Sequence, residues 1–340
     1  MMKLKRCPGC LKNGFETYCG KCRKKLFDGK KVSHILSFNR PEFNRVKRER
    51  SGRLSISGIQ IKHSLKLEGK DLKLTERGGE YILKPIPSGQ FENLDAVPAN
   101  EHLTMQIAGQ VFKINTASNG IVFFSDGETA YITRRFDVKK DGKRLLQEDF
   151  AQIADRSEDA NGINYKYDFS YEEIANLMMQ YVASYKIEIE KYFKIVLFNF
   201  LFSNGDAHLK NFSLYRNDEY GDYLLTPFYD LLNTSIHTPG ESELALNLFK
   251  DDFMSQDYES TSKYSIEDFK EFGSRIGISQ DRTELLINEM KKEQAQVFKL
   301  IDSSFLTDEL KIKYKKNYEE RTVRLKATSN KSVENKPTND

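Results

Sequence analysis

The chain has 340 residues, of which 39% are hydrophobic and 30% charged, and its formal net charge is +3. No apolar run approaches the ~20 residues of a membrane span and no signal segment opens the chain, so we expect a cytoplasmic protein without membrane attachment. The net charge is too small for nucleic-acid binding over the whole surface, so that function would need a local basic cluster. The length suits a two-lobed domain of roughly 250 to 300 residues with short additions.

All four cysteines lie in the first 22 residues, as C-P-G-C and, eight residues later, C-G-K-C. Two such pairs can close a thiolate tetrahedron around a structural zinc ion, and Gly9 and Gly20 permit the tight turns at the metal. The predicted zinc ligands are Cys7, Cys10, Cys19 and Cys22. Free thiols or two disulfides are the alternatives, and disulfides are disfavoured without a secretion signal. We assign residues 1–30 to this zinc-ribbon-like knuckle.

Two basic stretches, 21–31 and 40–53, follow the first cysteines, and we interpret residues 31–50 as a basic linker. A solvated linker or helix face is the simpler interpretation. A surface that docks nucleic acid or a partner protein is the alternative.

Alternating apolar residues in L-S-I-S-G-I-Q-I-K predict strands on either side of Gly58. Such a hairpin is typical of a loop that covers phosphates, because backbone N–H groups can point at the ligand where no Cβ intervenes. Here there is one glycine instead of several. Ser55 and Ser57 stand where smaller residues are expected, and they are small turn residues on the simplest interpretation.

A lysine inside an apolar strand is the next informative feature. Lys84 lies in Y-I-L-K-P, and because a buried ammonium group needs an anion, it is the natural partner for the α- and β-phosphates of a nucleotide. A helical pattern follows between Pro98 and Phe112, with Glu101 in its first turn. Glu101 can pair with Lys84, although a first-turn glutamate also simply suits the helix dipole.

In the second half of the chain, apolar residues recur mostly at the three- and four-residue spacing of helices. Residues 128–137 read as a strand and a connector, and the predicted helices are 171–185, 187–202, 265–276, 280–305 and 306–323. The pattern predicts an α+β fold with two lobes, a β-rich lobe over 51–138 and a helical lobe over 139–325. Residues 326–340 are almost free of apolar side chains and are expected to be disordered.

The stretch N-F-L-F-S-N-G-D-A-H-L-K-N, residues 199–211, reads as an active-site loop behind a buried helix. Asp206 and Asn211 have the D-x4-N spacing of a protein-kinase catalytic loop, where the Asp accepts the proton of the attacking hydroxyl and the Asn holds magnesium. Asp230, at the end of an apolar run, supplies the second magnesium ligand. Taken singly, each acid has a purely structural alternative: Asp206 would cap a helix, and Asp230 would end a strand.

Two further residues of this loop have predicted roles. His208 is expected to position the loop, because Asp206 is the better base for a hydroxyl. Lys210 is expected to neutralise the phosphoryl group during transfer, since that charge must be met by a preorganised cation.

The loop N-G-D-A-H-L-K-N and the motif Y-D-L resemble the HipA-type toxin serine/threonine kinases, whose loop has the form N-x-D-x-H-x-K-N. The segment S-I-S-G-I-Q-I-K is similar to the serine-containing phosphate loop of that family, S-x-x-G-x-Q-x-K. The resemblance places Ser57, Gly58, Gln60 and Lys62 at the nucleotide, and Arg135 and Phe136, in R-F-D, at the adenine-binding hinge. It also implies autophosphorylation at Ser55 or Ser57, where a phosphate would carry about −1.5 to −2 charges.

The resemblance implies ATP and Mg²⁺ as cofactors and transfer of phosphate to a host protein, such as an aminoacyl-tRNA synthetase, which inhibits translation. It implies a helix-turn-helix antitoxin of the HipB type, with DNA bound only through that antitoxin. The knuckle and linker stand where full-length members have an additional subdomain of roughly a hundred residues. That arrangement looks like the short HipT form of tripartite HipBST systems, in which a separate HipS-like protein supplies the subdomain.

Two other functions are compatible with the residues. A small-molecule phosphotransferase would use the same Asp206, Asn211 and Asp230. A non-enzymatic, zinc-ribbon regulator that binds nucleic acid would retain the kinase body without its activity.

Overall fold

The computed structural model describes residues 3–51, 62–139 and 141–326, and the side chains of 47–51 are not part of that description. Within these ranges the chain forms a sheet-containing small lobe and a mainly helical large lobe. This is the α+β arrangement with two lobes that the sequence predicts, which is thereby confirmed. No helix in the described ranges is long and apolar enough to cross a membrane.

The small lobe contains the knuckle, a curled sheet and one long helix. Its elements are α1 (Gly20–Phe27), α2 (Arg40–Ser51), β1 (His63–Glu68), β2 (Asp71–Leu74), β3 (Tyr81–Pro85), α3 (Val97–Gln110), β4 (Asn119–Phe123) and β5 (Thr129–Arg134). Helix α2 therefore covers much of the stretch interpreted as a basic linker.

The large lobe begins with a short strand and continues mainly as helices. Its elements are β6 (Gln147–Asp149), α4 (Phe150–Ile153), α5 (Glu158–Asn161), α6 (Tyr171–Tyr181), α7 (Tyr185–Leu201), β7 (Ser213–Arg216), β8 (Tyr223–Leu225), α8 (Gln256–Thr261), α9 (Ile266–Arg275), α10 (Gln280–Lys291), α11 (Gln294–Asp302) and α12 (Asp308–Arg324).

The small-lobe sheet has the order β2-β1-β3-β5-β4, and all neighbouring strands are antiparallel. Strands β3 and β5 lie inside the sheet, with Lys84 opposite Tyr131 in the register. Both strands are mostly buried, as expected for strands in the interior of a sheet.

Helix α3 packs against β4 and β5 and is buried over most of its length. Pro98 lies in its first turn, where the missing N–H of proline costs no helical hydrogen bond. Because the helix is surrounded by protein, residues on several of its sides, including Glu101 and His102, are buried. Its polar residues must therefore find partners inside the fold.

Helix α7 forms the centre of the large lobe, and its residues from Ile195 to Leu201 are buried without interruption. A helix that is apolar on all sides is typical of a core position. It ends directly before the predicted active-site loop, so the rigid core of the large lobe positions that loop.

The large lobe is mainly helical, as predicted, and strands β6, β7 and β8 form a small antiparallel sheet outside the predicted helices. One sequence prediction about this lobe is wrong. The single helix predicted over 280–305 is two helices, α10 and α11, that meet near Lys292 and Glu293. Strands of three or four residues carry too little periodicity to be recognised, and nothing in the composition marks the helix break.

Candidate active site

The predicted nucleotide lysine is buried next to two carboxylates. Lys84 on β3 and Glu101 on α3 have side chains that are 2% and 1% exposed. Lys84 Nζ donates a hydrogen bond of 2.5 Å to Glu101 Oε1 and another to Asp230 Oδ1. A buried ammonium group is stable only beside anions, and both carboxylates supply them. The pairing of Lys84 with Glu101 drawn from the sequence is therefore present as a contact.

Asp230 lies after β8 in a left-handed backbone conformation, with a φ angle of 56°. A non-glycine residue adopts this conformation at a cost, which surrounding contacts must offset. Its Oδ2 accepts a hydrogen bond of 2.9 Å from Lys62 Nζ. The neighbouring Tyr229 donates from its hydroxyl to the carbonyl of Lys210 over 3.0 Å, which ties Asp230 to the active-site loop.

Lys62, Lys84, Glu101 and Asp230 form what we call the ion group. Burial alone would raise the pKa of Asp230, but the ammonium groups of Lys84 and Lys62 outweigh it and hold that pKa well below its usual range. Burial alone would lower the pKa of Lys84, and Asp230 and Glu101 reverse the direction. Burial also raises the pKa of Glu101, against the attraction of Lys84. Lys84 and Asp230 are therefore both charged near neutral pH.

The chemistry of Asp230 and Asn211 suits a magnesium ion. Asp230 offers carboxylate oxygens, and Asn211 offers an amide oxygen, which are ligands that Mg²⁺ prefers. Asn211 Oδ1 accepts one hydrogen bond of 3.1 Å, from the backbone N–H of His208, and retains a second lone pair. Lys62 and Lys84 carry the two positive charges beside Asp230 that phosphate oxygens could meet.

The loop after α7 is held by hydrogen bonds to α7 and to Thr234. Ser203 turns the chain with a φ of 50°, and Asn204 Nδ2 donates to Asn199 Oδ1 on α7 over 3.0 Å. The backbone N–H of Gly205 donates to Thr234 Oγ1 over 2.7 Å. These bonds present the Asp206 side chain, which is 52% exposed, at the surface of the loop.

Gly205 is required here by close packing. A Cβ at this position would lie 2.8 Å from the carbonyl oxygen of Ser242 and 2.8 Å from the carboxyl carbon of Glu241. Glu241 also contacts Thr234 Oγ1, and burial raises the pKa of Glu241 to about 7. Sequence reasoning missed Thr234 and Glu241, because no local pattern links them to a loop some thirty positions earlier.

His208 and Lys210 lie on the same loop as Asp206. His208 Nε2 is 3.9 Å from Asp206 Oδ1, too far for a hydrogen bond. Burial lowers the pKa of His208 to about 4, so the ring is neutral near pH 7. Its backbone bond to Asn211 fits the loop-positioning role expected for it. Lys210 Nζ points to the hydroxyl of Tyr165, 3.4 Å away.

The connector after β5 carries the predicted hinge residues. Arg135 Nε donates to Asp137 Oδ1 over 3.0 Å, so its guanidinium group is paired with a neighbouring acid. The ring of Phe136 stacks on that of Tyr229, with centroids 5.9 Å apart. Because Tyr229 directly precedes Asp230, Phe136 packs against the sequence neighbour of that aspartate. Ser55, Ser57, Gly58 and Gln60 lie outside the described residues.

The four cysteines converge in the small lobe. Their Sγ atoms all lie within 4.8 Å of one another and are free thiols, so the disulfide alternative is not what the structure contains. Cys10 Sγ and Cys19 Sγ are 3.7 Å apart, close to the roughly 3.8 Å edge of a tetrahedron with Zn–S bonds of about 2.3 Å. The backbone N–H groups of Gly9 and Cys19 donate to Cys7 Sγ, as outer partners of a thiolate ligand do. The donor set therefore fits zinc.

This cysteine cluster is bonded directly to α3. His102 Nε2 lies 2.9 Å from the carbonyl oxygen of Gly9, and Gln110 Nε2 donates to the carbonyl of Cys10 over 3.1 Å. His102 is fully buried, and burial lowers its pKa to about 4, so it acts as a neutral donor. His102 directly follows Glu101, so neighbouring residues of one helix connect to the knuckle and to the ion group.

Comparison with known proteins gives three findings. The sequence profile of the family described as HipA-like C-terminal domain matches residues 54–298. A "Putative kinase" of Haemophilus influenzae is 30% identical over 83% of this chain and 84% of its own length. The "Serine/threonine-protein kinase toxin HipA" of Shewanella oneidensis is 27% identical over 57% of this chain, which spans about half of that relative, 46% of its length.

Among solved structures, HipA in the complex titled "Shewanella oneidensis MR-1 Toxin Antitoxin System HipA, HipB and its operator DNA complex" has a similar fold. Its TM-score is 0.59 at 21% identity, and the match covers 83% of this chain and 70% of that one. At this identity the likeness concerns the fold.

Proposed function

Because the chain belongs to the family of the HipA-like C-terminal domain, we propose that it is an ATP- and Mg²⁺-dependent serine/threonine protein kinase and the toxin of a bacterial toxin–antitoxin system. The observation that carries the proposal is the contact of Lys84 with both Glu101 and Asp230. A buried lysine between a helix glutamate and an aspartate that follows the active-site loop is the arrangement by which kinases hold nucleotide phosphates.

At the nucleotide end, Lys84 and Lys62 bind phosphate oxygens, and Glu101 orients Lys84. Asp230 and Asn211 would hold magnesium, which would neutralise negative charge on the phosphates during transfer. Both lysines contact Asp230 and balance its charge. Arg135 and Phe136 belong to the connector beside the adenine.

At the acceptor end, Asp206 accepts the proton of the attacking serine or threonine hydroxyl. Asp206 is exposed, so a protein segment can reach it from solution. Lys210 stabilises the charge on the phosphoryl group while it is transferred. His208 stays neutral and keeps the loop in place through its backbone bond to Asn211.

The phosphate loop completes the proposed site. We assign Ser57, Gly58 and Gln60 to the loop, and Ser55 or Ser57 to autophosphorylation. A phosphate beside Lys62 and Lys84 would compete for the charges that ATP needs, because it carries about −1.5 to −2 charges at neutral pH.

We further propose that the chain acts in the bacterial cytoplasm on a host protein such as an aminoacyl-tRNA synthetase. A HipB-type antitoxin is the proposed partner, supported by the complex in which the similar fold of HipA was solved. Contact with DNA then occurs through the antitoxin. A HipS-like protein as a further partner, and membership of the short HipT form, rest on the sequence resemblance.

The cysteine cluster is proposed to hold one structural zinc ion. All four ligand positions are filled by cysteines, so no open position remains for catalysis. The bonds from His102 and Gln110 to the knuckle give the ion a role in holding α3. The proposed domain division is a knuckle at 1–30, a linker at 31–50, lobes at 51–138 and 139–325, and a tail at 326–340.

The test is incubation of phosphatase-treated protein with magnesium and γ-labelled ATP, followed by phosphosite mapping. Wild type should incorporate phosphate on serine or threonine, and Asp206→Asn should incorporate at least about a hundredfold less, because the proton acceptor is lost. Equal incorporation by both proteins, or none by wild type in the presence of bacterial lysate protein, would contradict the proposal.

A further inference from the structure

A short segment that sequence reasoning did not connect with function lies against the active-site loop. Residues 162–168, G-I-N-Y-K-Y-D, which we call the tyrosine loop, connect α5 with the start of α6. The backbone N–H of Leu209 donates to the carbonyl of Lys166 over 3.2 Å. This bond joins the two loops through their main chains.

Tyr167 reaches the proposed proton acceptor. Its hydroxyl donates a hydrogen bond of 2.6 Å to Asp206 Oδ1. Its ring packs edge-on against that of His208, with centroids 5.1 Å apart. Burial, and then the hydrogen bond to Asp206, raise the pKa of Tyr167 well above its usual value, so the phenol keeps its proton and remains a donor near neutral pH.

Contacts on both sides fix the tyrosine loop. Arg156 donates to Asp168 Oδ2 over 2.8 Å, and its guanidinium group lies over the ring of Phe169. Beyond the loop, the hydroxyl of the fully buried Tyr171 donates to the carbonyl of Ala207 over 2.9 Å. The position of the phenol relative to Asp206 is therefore set by bonds on either side of both residues.

The second tyrosine of the loop touches the other proposed acceptor-side residue. The hydroxyl of Tyr165 accepts from Lys210 Nζ over 3.4 Å, and Lys210 Nζ also lies 6.0 Å from the centre of that ring. One segment thus contacts both side chains that the proposed chemistry uses at the acceptor end.

From this geometry we propose that Tyr167 is a positioning residue that holds Asp206 by Oδ1, so that Oδ2 is the oxygen that receives the acceptor proton. The inference rests on the proposed function, because it concerns the orientation of the Asp206 carboxylate in that reaction. An exposed carboxylate rotates freely about its terminal bond, and a hydrogen bond to one oxygen restricts it. Misplacement of a reacting group by about 1 Å can cost up to about a hundredfold in rate.

Transfer then proceeds with a defined path for the proton. The acceptor oxygen forms a bond to the γ-phosphorus as the bond to the β,γ-bridging oxygen breaks. ADP leaves with the bonding electrons, and the hydroxyl proton passes to Oδ2 of Asp206 and later to solvent. Tyr167 keeps its own proton throughout and forms no covalent bond.

Tyr167→Phe tests the proposal, because it removes one oxygen and keeps the ring on His208. Tyr181→Phe is the matched control, since Tyr181 lies at the end of α6 and its side chain is 47% exposed. Three quantities are measured on phosphatase-treated protein: the single-turnover rate of self-labelling at saturating ATP, the dissociation constant for Mg-ATP, and the midpoint of thermal unfolding.

We expect Tyr167→Phe to label itself about tenfold more slowly than wild type, which corresponds to the loss of one hydrogen bond to a charged group. The ATP dissociation constant and the unfolding midpoint should stay at the wild-type values, and Tyr181→Phe should match wild type in all three quantities. A purely structural role would instead move the unfolding midpoint or the ATP affinity together with the rate.

The other outcomes overturn the proposal. An unchanged rate means that Asp206 needs no positioning, and a faster rate means that Tyr167 obstructs the acceptor. Phosphate mapped to Tyr167 in wild type means that the phenol is itself an acceptor. If wild type transfers no phosphate at all, the proposed function fails. If wild type is active and Tyr167→Phe is equally active, only the positioning role fails.

Discussion

The ion group and the cysteine cluster both depend on α3, but they satisfy their polar atoms in different ways. In the ion group, two ammonium and two carboxylate groups neutralise one another with protein atoms alone. In the cysteine cluster, four thiols face one another, and only an added metal ion would join them strongly. The first arrangement should therefore fold without a ligand, whereas the second should depend on zinc.

Breaking the ion group should have the largest effect. Lys84→Met leaves Glu101 and Asp230 without their shared cation, so the free energy of unfolding should fall by about 3–5 kcal/mol and self-labelling should be lost. Denaturant unfolding and the labelling rate measure both effects.

Lys62→Met provides the control for that substitution, because the Lys62 side chain is about half exposed, at 49%. It should change the free energy of unfolding by less than about 1 kcal/mol. Similar losses of stability for the two variants would contradict the charge balance described for the ion group.

Removing zinc should have the next largest effect. Metal analysis of the purified chain should give about one zinc per molecule, and a strong chelator should lower the unfolding midpoint by on the order of 5 °C. Cys10→Ser should start from the lower midpoint and show no further change with chelator. Less than about half an equivalent of zinc in wild type would contradict the structural site.

The link between the two regions can be tested through His102. His102→Leu removes the donor to the Gly9 carbonyl and should lower the free energy of unfolding by about 1–3 kcal/mol. Because His102 directly follows Glu101, the substitution should also disturb Glu101 and lower the self-labelling rate. His102→Gln keeps an N–H donor and should lose less of both. Equal behaviour of the two variants would show that the hydrogen bond contributes nothing.

The smallest expected effect concerns Glu241 and pH. Its pKa is raised from 4.5 to about 7 in the folded protein, so the native state binds more protons than the unfolded state between those values. The free energy of unfolding should therefore decrease as pH rises through this window, by about 1 kcal/mol after allowance for solvent screening. Glu241→Gln should remove that decrease, which thermal unfolding at several pH values would detect. An identical pH dependence in both proteins would contradict it.

Short local patterns revealed much of the candidate site in advance. Lys84 in an apolar strand, the Asp206–Asn211 spacing and Asp230 after an apolar run each concern fewer than a dozen neighbouring residues. The structure brings Lys84 and Asp230 into contact although they are 146 positions apart. The sequence analysis assigned both residues to one nucleotide site but did not predict this contact. Their assigned roles in catalysis remain predictions.

What could not be predicted depends on contacts between distant parts of the chain. Tyr167 and Asp206 are 39 positions apart, and neither residue belongs to a pattern that contains the other. The His102 bond to Gly9 joins a helix to a knuckle that precedes it by 93 positions. Such pairs follow from tertiary packing, which decides where a buried polar group finds its partner.

The central claim, that the ion group receives ATP together with magnesium, is tested most directly by calorimetric titration of ATP with and without Mg²⁺. Wild type should bind ATP at least about tenfold more tightly with magnesium, and Asp230→Asn should bind it with nearly equal affinity in both conditions, because it lacks the metal-binding carboxylate. A magnesium dependence that survives Asp230→Asn unchanged would contradict the account.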